Sequence, residues 1–347
     1  MLRAGRFAGH FAAAGLAAGA AGVFQQHGAT QCAGGNIKQR IDELQGRLAI
    51  LEAAAKKPTV DPHDIVCMVN GLPGAMGHEV SSACLRRGFQ IAPVALTGPS
   101  MPGTVDVTDG NGGPATSVRL VAGNDRAGCA AAARELKQAY GDSLICIDFT
   151  HPSAVNGNAK FYADNGFAFV MGTTGGDREL LQKVTDDAGI YAIIAANMCK
   201  QIVALQATFE HMATAFPGAF SGYKMDLTES HQSTKADTSG TAKDMVKHFN
   251  GLGLDFSVND IRKIRSAEEQ ADFGVPAEAL RGHAFHTYTL TSDDGSVEFQ
   301  FKHNVQGRRT YAEGVADAVE FLAAQRLAQS EKKVFNMIDV LAAGKMN

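Results

Sequence analysis

The stretch "VCMVNGLPGAMGHEV" (Val66–Val80) decides how this chain is read. It opens with a nearly unbroken apolar run, the texture of a strand covered on both faces. It closes on the helix-like "AMGHEVSSACLRRG" (Ala75–Gly88). Gly71, Gly74 and Gly77 stand between and within the two. Glycines in that setting let the main chain approach a pyrophosphate, whose charge is stabilised by the unpaired N–H groups of the helix N-terminus. The GxxGxxG spacing departs from the standard dinucleotide fingerprint, and Pro73 removes one amide donor. A turn that only tightens strand-helix packing is the plain alternative.

The same alternation continues outward through "FQIAPVALTG" (Phe89–Gly98), "LICIDFT" (Leu144–Thr150), "FAFVMGTTG" (Phe167–Gly175) and "YAIIAAN" (Tyr191–Asn197). Short apolar runs separated by amphipathic stretches predict parallel βαβ units with helices on both faces, and hence a dinucleotide-binding domain over 64–197. Ligands of such sheets lie outside the carboxyl ends of the strands. The turns at Asp148–Thr150, Gly172–Gly175 and Ala195–Asn197 are therefore expected to line the nicotinamide end, though each singly fits ordinary turn chemistry. Where a ribose-reading carboxylate belongs, the second strand ends at Thr97. Thr97 would not repel a 2′-phosphate, and no Arg or Lys beside it claims one, so NADPH is expected and NADH possible.

After Asn197 the texture changes. The helix-like "CKQIVALQATFEHMATAF" (Cys199–Phe216) leads to alternating strands at "YKMDLTES", "VNDIRKIR", "AFHTYTLTS" and "SVEFQFKHN". These predict an α+β substrate-binding domain over 198–306 with a mostly antiparallel or mixed sheet. Residues 307–347 read as closing helices that return to the first domain. The expected class is α/β, a Rossmann-like parallel-sheet domain plus an α+β substrate-binding and oligomerisation domain.

The segment "ESHQSTKADTSGTA" (Glu229–Ala242) follows the first of those strands. His231 stands at the strand end, Lys235 after a short polar loop, and "DTSGTAKDMVKHF" starts a helix in which Ser239, Gly240 and Thr241 offer a capping hydroxyl and free amides. An anion there would meet N–H groups, a hydroxyl and an ammonium, which suits a carboxylate. His231 could transfer a proton near neutral pH, and Lys235 could donate one or polarise a developing negative charge. A well-capped helix beside a solvated His and Lys is the alternative.

Taken in order, "NGLPGAMG", "IDFTHPSA", "MGTTG", "AANM" and "ESHQSTKADTSGTA" resemble the 4-hydroxy-tetrahydrodipicolinate reductase (dihydrodipicolinate reductase) family of the diaminopimelate route to lysine. "GHAFHTYTLTS", "FKHNVQGRRTYAEG" and "FNMIDVL" bring the likeness nearer to its plant-type branch. The resemblance runs from about Asp64 to the C-terminus. It implies an NAD(P)H-dependent reduction of a cyclic dicarboxylate, with His231 and Lys235 on the acid/base positions. Gly240 and Thr241, with Ser239 beside them, fall on the substrate-carboxylate positions. Gly71, Leu72, Pro73, Gly74, Ala75 and Met76, with Phe149, Gly172, Thr173, Thr174, Ala195, Ala196, Asn197 and Met198, fall on the cofactor loops, and Thr97 on the ribose-reading position. Where bacterial members carry a second histidine that contacts substrate, this sequence has Gln232.

The chain has 347 residues, 45% hydrophobic and 20% charged, with a net charge of −4. That length allows two domains and a sizeable core, and the charge gives no reason to expect nucleic acid. The six cysteines contain no CxxC pair and read as reduced and structural rather than as disulfides or zinc ligands, so no metal is expected. "MLRAGRFAGHFAAAGLAAGAAGVFQQHG" (Met1–Gly28) has basic residues, much Ala and Gly, and no acidic residue before Asp42. Residues 1–36 therefore read as a targeting or disordered segment, with organellar, plastid import expected and no membrane partner in the mature form. Ile37, Ile41, Leu44, Leu48 and Leu51 mark an amphipathic heptad helix over 37–57, able to dock on its own chain or to support a homo-oligomer, dimer or tetramer. Two other readings compete: a Rossmann oxidoreductase acting on another small carboxylated imine or aldehyde, and a silent cofactor-binding scaffold.

Overall fold

The computed structural model describes Gln45 and residues 59–100 and 103–344. The targeting segment and, Gln45 apart, the heptad helix lie outside the described residues.

Strand β1 (Val66–Asn70) is buried at every position, as its apolar run requires. The run read as one strand at "FQIAPVALTG" is two, β2 (Gln90–Ile91) and β3 (Val94–Thr97). Pro93 accounts for the break, because it has no N–H to give to a ladder. The remaining strands of this lobe are β4 (Gly103–Val107), β5 (Thr116–Ala122), β6 (Leu144–Asp148), β7 (Ala168–Met171), β8 (Ala192–Ile194) and, from the C-terminal end of the chain, β13 (Val334–Phe335). One sheet has the order β13-β8-β7-β6-β1-β2, all parallel. A second, β3-β5-β4, continues past the break, with β4 antiparallel. The chain winds outward in opposite directions from β1 and β6. Their carboxyl ends thus form the topological switch point where α/β sheets bind ligands.

Helices cover both faces of the parallel sheet. On one side α1 (Ala75–Arg86) packs with the long α8 (Arg309–Leu327), joining Val80, Ala83 and Cys84 to Ala312, Val315, Val319 and Leu322. On the other side α2 (Arg126–Tyr140) and α3 (Val155–Asn165), with Leu181 of α4 (Arg178–Ala188), close a second core. An ion cluster fixes α8: its fully buried Asp317 receives Arg87 at 2.8 Å and touches Lys200 at the start of α5 (Lys200–Ala215).

The second lobe is a mixed four-stranded sheet of order β10-β9-β11-β12, built from β9 (Lys224–His231), β10 (Arg262–Ile264), β11 (His283–Thr291) and β12 (Glu298–Gln306). Helices α5 and α6 (Gly240–Gly251) cover one face of it. Phe209 packs between Phe249 and Phe301, with ring centroids 4.8 and 4.9 Å away. The short α7 (Ala267–Asp272) and α9 (Met337–Ala342) complete the described helices.

Candidate active site

The glycine turn is shaped by what surrounds it. Gly71 has φ +106°, and a Cβ there would overlap the Phe149 carbonyl, so the position admits only glycine. A Cβ on Gly74 would lie 2.7 Å from the Gly71 carbonyl oxygen. The Leu72–Pro73 bond is cis. Helix α1 then starts from Gly74 with no side-chain cap and no acidic residue in its first turn, so its N-terminal amides and dipole are left unanswered. Gly74 and Ala75 are exposed and Met76 half-buried at this end. Thr97 is buried and donates its hydroxyl to the Leu72 carbonyl at 2.6 Å, which ties the end of β3 to the turn.

The neighbouring turns are set by one buried carboxylate. Asp148, fully buried at the end of β6, accepts from the hydroxyls of Thr150 at 2.8 Å, Thr173 at 2.7 Å and Tyr162 at 2.7 Å, and from the Asn158 amide at 2.8 Å. Asn70 donates to the Tyr162 oxygen at 2.7 Å and accepts from the Leu96 N–H at 2.7 Å, which links β1, β3, β6 and α3. The Phe149 ring covers Gly172, where a Cβ would collide with it, and Thr174 is exposed beside them. The last turn, Ala195–Met198, is backed by α8. Gly314 lies so close that a Cβ would overlap the Met198 carbonyl oxygen.

His231 is the last residue of β9 and is 7% exposed, on the same face as Met225, Leu227 and Glu229. Glu229, fully buried, accepts from Arg265 at 2.5 Å on one oxygen and from the Ser239 N–H at 3.0 Å on the other. Arg265 also donates to the Lys235 carbonyl at 2.8 Å, and Gln270 to the His231 carbonyl at 2.8 Å. The loop from Gln232 to Thr238 is therefore held from below. Its first turn closes with the Lys235 N–H on the Gln232 carbonyl at 2.9 Å. The Lys235 ammonium is partly exposed and pairs with Asp237 at 2.7 Å. Ser239 takes the N-cap place of α6, but its hydroxyl makes no cap bond and its amide is spent on Glu229. The capping role expected of Ser239 is thus corrected, and the first helical amides, Gly240 and Thr241, are the ones left open.

Histidines gather behind His231. The cross-strand register aligns Glu229, His286 and His303, and His286 stacks on His303 with ring centroids 4.7 Å apart. Burial first, then the charges of Arg265 and Lys235 and the neighbouring His283, push the His231 pKa down to about 3. Burial lowers His303 to about 4 and holds His286 well below the usual range. Glu229, His231 and His286 bring three potential metal-ligand atoms within 4.8 Å, but both Glu229 oxygens are already engaged.

One bond joins the two halves of the site: Asn197 donates its side-chain amide to the Thr241 hydroxyl at 3.0 Å. The turn expected to face a nicotinamide and the helix start expected to hold a carboxylate are in direct contact.

The family model for the N-terminal part of dihydrodipicolinate reductase matches residues 65–198, and that for its C-terminal part matches residues 201–341. The chain belongs to the dihydrodipicolinate reductase family. It is 43% identical over 308 residues to a probable 4-hydroxy-tetrahydrodipicolinate reductase 1, chloroplastic, of Oryza sativa subsp. japonica, covering 86% of this chain and 87% of the relative. It is also 43% identical over 293 residues to 4-hydroxy-tetrahydrodipicolinate reductase 1, chloroplastic, of Arabidopsis thaliana, covering 84% and 82%. A dipicolinate-bound dihydrodipicolinate reductase from Paenisporosarcina sp. TG-14 shares the fold, with a TM-score of 0.52 at 18% identity over 78% of this chain and 97% of that one.

Several residues that shape the site of this dihydrodipicolinate reductase family member escaped the sequence reading. Glu229 had a signal: the period-two pattern puts it on an apolar face, where a carboxylate requires a partner. Arg265, His286, His303 and Gly314 had none, because each acts across a strand register or helix contact far away in sequence.

Proposed function

We propose that this chain reduces 4-hydroxy-tetrahydrodipicolinate to tetrahydrodipicolinate, with loss of water, in lysine biosynthesis via diaminopimelate. Its likeness to the plant reductases over most of both chains supports the reaction. The observation that carries the site assignment is the Asn197–Thr241 bond, which joins the glycine-turn lobe to the His231–Lys235 lobe.

The nicotinamide nucleotide, when bound, supplies the hydride. Gly71–Met76 would hold its pyrophosphate, since the turn carries no Cβ at Gly71 or Gly74 and α1 is uncapped and free of acidic residues. Phe149, Gly172–Thr174 and Ala195–Met198 would flank the nicotinamide end, and Thr97 the ribose. Gly240 and Thr241 would receive one substrate carboxylate at the start of α6, with Ser239 and Gln232 beside it. Loss of the ring hydroxyl as water leaves a conjugated imine. C4 takes the hydride, and His231 with Lys235 supplies the proton that completes the product. Burial is the first cause that holds His231 low, and the Arg265 and Lys235 cations add to it; a dianionic substrate answers only that cationic part.

NADPH is the preferred donor, with NADH usable, since no carboxylate follows β3 to repel a 2′-phosphate. The dinucleotide-binding domain spans 64–197 and the substrate domain 198–306, with 307–347 returning to the first. Val297 and Phe299, both 41% exposed around β12, favour a homo-oligomer, a dimer or tetramer. The basic, acid-free start of the sequence and the chloroplastic relatives favour import into a plastid. The assay that tests the reaction combines purified protein, the cyclic condensation product of pyruvate and aspartate semialdehyde, and NADPH. Oxidation of NADPH that depends on this substrate is expected; its absence overturns the proposal.

A further inference from the structure

Among the described residues, His286 is a buried titratable group that the reaction above does not use. It lies on β11 directly across from Glu229 on β9 and from His303 on β12, and is 1% exposed. Its Nε2 stands 3.4 Å from the Nε2 of His231 and 3.8 Å from Oε2 of Glu229. Its Nδ1 is buried with no hydrogen-bond partner.

These contacts fix where protons sit. A neutral imidazole carries one N–H and one lone pair. If the His286 proton were on Nδ1, a buried N–H would have no acceptor, which native structures strongly avoid, whereas a bare lone pair is the lesser defect. The Glu229 carboxylate on the Nε2 side pulls the proton the same way. His286 therefore carries its proton on Nε2. Two N–H groups cannot share one contact, so the facing Nε2 of His231 is the acceptor, and the proton of neutral His231 sits on Nδ1. With Nε2 turned to His286, Nδ1 is the nitrogen left for the His283 backbone, whose hydrogen bond to this ring favours a proton on it, and for a substrate.

We propose that His286 is a positioning residue that fixes neutral His231 in its Nδ1–H tautomer, so that the nitrogen left for the substrate presents an N–H hydrogen-bond donor to it. The consequence for turnover rests on the reductase reading; the tautomer does not. His303 stacked on His286, with Tyr288 beside it on the same strand, holds the ring in place without needing to titrate.

The test is the long-range 1H–15N correlation pattern of histidine rings in the 15N-labelled full chain, with His231 assigned by its loss in His231→Gln. Nδ1–H on His231 in the unsubstituted protein is expected; Nε2–H there overturns the proposal before any further variant is made. His286→Phe keeps a flat ring against His303 but removes the donor. It should move His231 to Nε2–H and lower kcat at least about tenfold with cofactor affinity unchanged. His286→Gln, which retains an N–H, should restore much of both. An unchanged His231 tautomer in His286→Phe overturns the proposal. The tautomer is read without turnover, so failure of the reductase reading shows separately, as an unsubstituted protein that does not reduce the cyclic imine.

Discussion

Asn197 and Thr241 hold one hydrogen bond of 3.0 Å between the turn that follows β8 of the parallel sheet and the first turn of α6. The side chains that join the lobes are also two of those assigned to cofactor and substrate. Asn197→Ala and Thr241→Val should each lower kcat/KM. In a double-mutant cycle they should show a coupling of about 0.5–1.5 kcal/mol. Strict additivity would mean that the bond does not transmit position between the lobes.

His231→Ala and Lys235→Ala should each cut turnover by orders of magnitude while the reduced nucleotide still binds, as seen by fluorescence titration. Near-normal turnover in both would remove these residues from the proton step.

With β3 ending in Thr97 and no carboxylate after it, kcat/KM should be higher with NADPH than with NADH. Thr97→Asp should reverse the order by bringing a negative charge against the 2′-phosphate. Steady-state kinetics with both nucleotides decides this, and an unchanged ratio would place the ribose elsewhere.

The buried histidines give stability a pH dependence of definite sign. His231, His286 and His303 have folded pKa values below the ordinary 6.5, so between those values and 6.5 the unfolded chain binds more protons. Stability from these groups is complete above pH 6.5 and is lost as pH falls toward about 4 for His303 and about 3 for His231. Aspartates such as Asp237, lowered by Lys235 from an ordinary 3.8, act only in more acid solution. The thermal midpoint should fall as pH is taken from 6.5 to 4, and less steeply in His303→Phe.

Arg265→Ala should leave Glu229 buried beside a single amide donor, Ser239, and cost about 3–5 kcal/mol in urea unfolding. A cost under about 1 kcal/mol would mean that the pair is solvated in solution.

The parallel sheet was legible because its strands are short, apolar and separated by helices, and because Gly71 and Gly74 stand where the main chain has no room for a side chain. His231 and Lys235 were legible because the alternation of β9 points to a strand end and the Ser-Gly-Thr that follows points to a helix start. The support beneath them was hidden. Arg265 reaches Glu229 from a parallel neighbour, and His286 meets it through antiparallel register, which no local pattern encodes. The split at Pro93 has a local signal, since proline brings no N–H to a ladder. The β4–β5 ribbon depends on pairing along a sheet edge that local alternation leaves unspecified.

The contact of Gly314 with Met198 also sets an order of events during synthesis. Roughly a hundred residues separate the two, on the order of ten seconds of elongation. Until α8 has left the ribosome, the Ala195–Met198 turn has no back wall. The proposed nucleotide site is therefore finished only once α8 has been made, and a nascent chain halted before α8 should emerge unable to retain its cofactor.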